Sequence, residues 1–105
     1  MVVRQIRDSD IKRILLGSPT GKGRIRLFIE TKEGDILIFE EGLLQNITRA
    51  YIWIGNHPKV YALEMNYQLL GEDVKKWGHK KDQFIESKKE QEEIQREIDE
   101  IFSKL

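Results

Sequence analysis

The chain has 105 residues, 39% hydrophobic and 34% charged, with 18 basic side chains balancing 18 acidic ones and no cysteine. That length fits one domain. The lack of thiols excludes disulfides, thiolate nucleophiles and the common structural zinc sites, and no apolar run is long enough to span a membrane, so no membrane partner is expected.

The opening stretch, MVVRQIRDSD, is too polar for a secretory leader, which makes the cytoplasm the expected location. Abundant Lys, Glu and Ile without Cys is a compositional hint of a thermophilic source. The charge balance hides a pattern. Residues 1–26 carry seven basic and two acidic side chains, 27–73 three and eight, 74–89 six and two, and 90–105 two and six. Two positive blocks alternate with two negative ones. Either they neutralise one another within or between chains, or the two basic blocks share a face and attract a polyanion.

Val2–Ile6 reads as a short strand. Asp8, Ser9 and Asp10 offer capping oxygens, and Ile11, Ile14 and Leu15 recur at helical spacing before Gly17, so a helix over about 10–16 is expected, with a strand over 11–16 as the alternative. Gly17–Gly23, GSPTGKG, resembles a phosphate-binding loop only superficially. The glycine spacing is one residue short, no hydroxyl follows Lys22, and a strand rather than a helix comes next. What remains is a basic surface loop in which Lys22, Arg24 and Arg26 suit phosphate contacts.

Arg24–Phe39 is the organising stretch. Ile25, Leu27 and Ile29 alternate with Arg24, Arg26 and Phe28, and a second run carries Ile36–Phe39. Gly34 permits the reversal between them, predicting a hairpin of strands 24–30 and 35–40. The second strand is apolar on both faces, which suggests a central position. Leu43, Leu44, Ile47, Ala50, Tyr51 and Ile54 then fall three or four apart, a helix over about 43–56, stopped at Asn56-His57-Pro58. Tyr51 and Trp53 flank its stripe. His57 suits a cap on the last carbonyls of that helix.

Val60–Leu70 alternates with period two and is expected to add a strand to the same sheet, with a helix as the alternative. In Glu72–Lys81, Trp77 lies among Lys75, Lys76, Lys80 and Lys81, an arrangement that suits nucleic acid or an anchor on the core. Phe84, Ser87, Gln91, Ile94, Ile98, Ile101 and Leu105 follow a 3-4 rhythm, with Phe102 beside them, predicting a helix over about 82–104.

The fold class is therefore α+β: an antiparallel or mixed sheet of three to four strands covered by one helix and a long C-terminal helix. Residues 1–81 form the core, and 82–105 belong to the same domain or to a dimerisation arm. The expected function is a non-catalytic binding or assembly domain that forms a homodimer through Ile94, Ile98, Ile101, Phe102 and Leu105. The alternatives are RNA or DNA binding through Lys22, Arg24, Arg26, Lys75, Lys76, Trp77, Lys80 and Lys81, or a small enzyme with a site at a dimer interface. No catalytic pair at motif spacing, no metal set and no cofactor motif is present in the sequence. His57, His79 and Glu64 are only isolated titratable groups.

Overall fold

In the computed structural model, which describes residues 2–69 and 82–105, the chain is α+β, the class its patterning predicts. A single 3-10 turn at Asp8–Asp10 leads into β1 (Ile11–Gly17), followed by β2 (Arg26–Thr31), β3 (Ile36–Glu40), α1 (Glu41–Asn56), β4 (Met65–Leu69), β5 (Asp82–Glu86) and α2 (Gln91–Phe102). The strands make two antiparallel sheets, β1-β2-β3 and β4-β5.

The β2–β3 hairpin is the predicted one. It pairs Leu27 with Phe39, Phe28 with Ile38 and Ile29 with Leu37. Gly34 takes φ +101°, the left-handed conformation that admits glycine without steric cost. Its N–H donates to the Thr31 carbonyl at 3.1 Å, and the Thr31 N–H donates to the Asp35 carbonyl at 2.9 Å. The Asp35 N–H also donates to the Thr31 hydroxyl at 3.2 Å, so the buried Thr31 closes the turn from both sides.

Five expectations are corrected. The 10–16 segment is a strand, not a helix. The consecutive Ile14, Leu15 and Leu16 pair with Ile29, Phe28 and Leu27, and Arg13 Nε donates to Glu30 at 2.6 Å, a gain that a helix of under two turns cannot match. With β1 on its far side, β2 becomes the central strand and β3 an edge. Val2–Ile6 forms no strand; the adjoining backbone is instead fixed by the Arg7 N–H donating to Asp10 Oδ2 at 2.9 Å. Among the described residues of the 60–70 run only Met65–Leu69 is strand, and it pairs with β5 rather than joining the main sheet. The C-terminal helix begins at Gln91, because 82–86 is satisfied by pairing with β4, where Tyr67 and Phe84 meet edge to face with ring centroids 5.7 Å apart.

The pairing divides the three-stranded sheet into two faces. Ile14, Leu16, Leu27, Ile29, Leu37 and Phe39 share one; Arg13, Leu15, Arg26, Phe28, Glu30, Ile36, Ile38 and Glu40 share the other. On the wholly apolar face, β2 and β3 side chains are half-buried, whereas Ile14 and Leu16 on β1 are exposed. α1 packs against β2 and β3, which accounts for the difference. The first half of α1 is half-buried through Leu43 and Leu44. α1 also packs against β5, yet Ile47, Tyr51, Ile52, Trp53 and Ile54 in its second half are exposed.

Candidate functional site

The start of α2 is fastened to the segment before β4 by one side chain. The Gln91 carboxamide oxygen accepts the N–H groups of Tyr61 at 2.8 Å and Ala62 at 3.3 Å, while its Nε2 donates to the Lys59 carbonyl at 2.9 Å. An irregular backbone thereby obtains the partners that a neighbouring strand would supply. Under this clamp sit Ala62 and Ile94, which with Thr31 are the buried residues among those described. Sequence reading placed Gln91 on the apolar stripe of the C-terminal helix. The polar break in that stripe was the available signal for its role.

A charged network lies beside the clamp. Lys89 Nζ donates to Glu64 Oε2 at 3.2 Å and to Glu97 Oε1 at 3.0 Å. The Ser87 N–H donates to the Glu64 carbonyl at 2.8 Å, holding the same two segments together. Hydrogen bonds from Lys89 and then Ser87 hold the Glu64 carboxyl below the ordinary glutamate range. Glu97 and then Glu64 push Lys89 upward. A cleft of about 100 Å³ opens here, lined in part by Trp53, Leu63, Glu64, Lys89 and Ile94. Lys89 thereby ties the segment before β4 to α2 through Glu64 and Glu97. Partial burial, then the Glu92 carboxylate, raises the Tyr61 phenol.

Past Ile94 the apolar stripe of α2 loses its cover. Ile98, Ile101 and Phe102 on the helix, and Leu105 just beyond it, are exposed, Phe102 to 63%. Ile94, Ile98 and Ile101 follow one another at four- and three-residue steps, so they form a single row, with Phe102 beside it and Leu105 past the helix end. Gln95 Nε2 donates to Asp99 Oδ1 at 3.1 Å.

The basic candidates divide. Lys22 and Arg24 are exposed in the β1–β2 loop, where Gly21 takes φ +81° and the Lys22 N–H donates to the Pro19 carbonyl at 3.0 Å. Arg26 is half-buried at the start of β2, and its Nη1 donates to the Arg24 carbonyl at 3.2 Å. Lys75, Lys76, Trp77, Lys80 and Lys81 lie outside the described residues.

His57 ends α1 through its backbone, the N–H donating to the Trp53 carbonyl at 3.0 Å, and its ring meets Trp53 edge-on with centroids 6.0 Å apart. The cap is therefore made by the peptide group and not, as expected, by the imidazole. His79 lies outside the described residues. No group of three or more potential metal ligands occurs among the described residues, and no helix among them is long and apolar enough to cross a membrane.

The class defined is a small two-sheet α+β domain whose most prominent surface features are uncovered apolar rows. No protein-family model, curated protein or solved structure matches the chain.

Proposed function

We propose that this chain is a non-catalytic assembly domain that associates with a second copy of itself through α2. The observation that carries the reading is the stripe of α2. It is buried at Ile94 and exposed at Ile98 and Ile101, although the row is continuous. Surface area supports it. A monomeric protein of 12.4 kDa exposes about 6,100 Å², and this chain exposes 8,880 Å². Even half of that excess exceeds the roughly 800 Å² per partner of a standard interface.

The test is the mass in solution, by light scattering, of the wild type and Ile98→Asp across a concentration series, with circular dichroism to establish folding. The wild type is expected as a particle of two or more chains whose thermal midpoint rises with concentration. Ile98→Asp is expected to contain fewer chains, because its carboxylate would be desolvated in the interface. A folded Ile98→Asp protein of unchanged mass would overturn the reading.

A second reading, polyanion binding, is favoured by one observation. Lys22, Arg24 and Arg26 fall at alternate positions within five residues, and among the described residues none of the three is held by a salt bridge. Replacing the three by Gln is expected to weaken the binding of a labelled RNA or DNA oligonucleotide several-fold and to flatten its salt dependence. Fluorescence anisotropy at two salt concentrations reads both, and unchanged affinity removes these residues from the site.

A further inference from the structure

We infer that β1 is a second self-association element, its free edge pairing antiparallel with β1 of another copy so that two three-stranded sheets become one sheet of six. Among the described residues no strand lies on the outer side of β1, and its side chains there are apolar on both faces. Ile14, Leu15 and Leu16 expose 62%, 48% and 67% of their surface. A helix docked from one side would cover Ile14 and Leu16 or Leu15, never all three. A strand added at the edge gives cross-strand neighbours to both faces at once.

An edge of this kind invites pairing unless it is blunted by charge, proline, a bulge or a covering element. The devices present in β1 are confined to its beginning. The irregular register falls between Ile11 and Arg13, and Lys12 and Arg13 are engaged with Glu30. Ile14–Gly17 is left open. The other edge differs on one face: β3 is shorter and ends in Glu40, and although Ile36 and Ile38 are exposed, its Leu37 and Phe39 are half-buried on the face that α1 covers.

The self-pairing register follows from charge and size. A two-fold axis at Leu15 sets Leu15 opposite itself, Ile14 opposite Leu16, and Arg13 opposite Gly17. The arginines then avoid each other and face a residue with no side chain, around which nothing lies within 4 Å of an added Cβ. A symmetric contact closes at two copies. The occupant is therefore a second copy of this chain.

Leu15→Cys tests this directly, because the chain has no other thiol and opposed Cβ atoms in such a pair lie about 4.5–5.5 Å apart. Mild oxidation is expected to convert most of the folded variant to a covalent dimer, while Ile38→Cys, exposed on the same sheet face at the β3 edge, gives at least several-fold less. Should Leu15→Cys fail to fold, Ile14→Cys and Leu16→Cys cross-linking when mixed, and much less when separate, supplies the same reading. Failure of these variants to cross-link, equal yields from Ile38→Cys, or efficient cross-linking of Leu15→Cys to Ile38→Cys would overturn edge pairing. The last result would indicate head-to-tail addition. Repeating the experiment with Ile98→Asp separates the two contacts. Cross-linking that survives this substitution stands without α2, and loss of mass through Ile98→Asp with no cross-linking at Leu15 leaves α2 alone.

Discussion

Glu64 shows how a residue with no motif around it acquires a defined role. Its sequence neighbours suggest only a solvated strand position, yet Lys89, Ser87 and Asn66 gather on its oxygens and backbone. Because the folded-state carboxyl titrates below the ordinary range, the unfolded chain takes up a proton first as pH falls. The contribution of Glu64 to stability is complete above the ordinary glutamate value and disappears as pH drops through the depressed one. Lys89 acts in the opposite sense: its contribution is complete below the ordinary lysine value and is lost as pH rises through the raised one. Glu64→Gln is therefore expected to be less stable than the wild type near neutrality and to converge with it in acid. Urea midpoints measured from neutral pH to below the carboxylate range check this. A gap that stays constant with pH would mean the ion pair contributes nothing. None of this was legible in the sequence, since Glu64 and Lys89 are 25 residues apart.

At the scale of elements, legibility followed the range of the deciding contacts. The β2–β3 hairpin was readable because its turn, its glycine and its alternation lie within one short stretch. α1 was readable from its own stripe. β1 and β5 were misread because their apolar spacing also fits a helix, and only pairing with β2 and β4 selects the strand. α2 was half-read: its stripe is real, but its start depends on Gln91 finding the backbone of 59–62. Gln91→Ala is expected to remove three hydrogen bonds and lower stability by about 1–2 kcal/mol. The amides of Tyr61 and Ala62 are expected to exchange faster with solvent, while those of β2 keep their protection. Hydrogen exchange followed by NMR distinguishes the two regions. An Ala62 amide as protected as in the wild type would show that the clamp is dispensable.

For the whole molecule, area and size agree. A compact chain of this length has a radius of gyration of about 13 Å, against 16.6 Å here. The exposed surface is apolar at particular places: the outer strand β1, the second half of α1 and the end of α2. These are three unfinished layers, and that is why solution mass and the concentration dependence of the thermal midpoint are the informative measurements. The sequence by itself determined the α+β class, the central hairpin, α1 and the apolar row from Ile94 to Ile101, because periodicity and turn chemistry act over a few residues. Only the tertiary structure decided that β2 is the middle strand, that β4 and β5 form their own sheet, that Gln91 and Lys89 fasten α2, and which apolar rows remain bare. Strand neighbours and burial depend on residues far apart in the chain, and local pattern carries no record of which surfaces will find a cover.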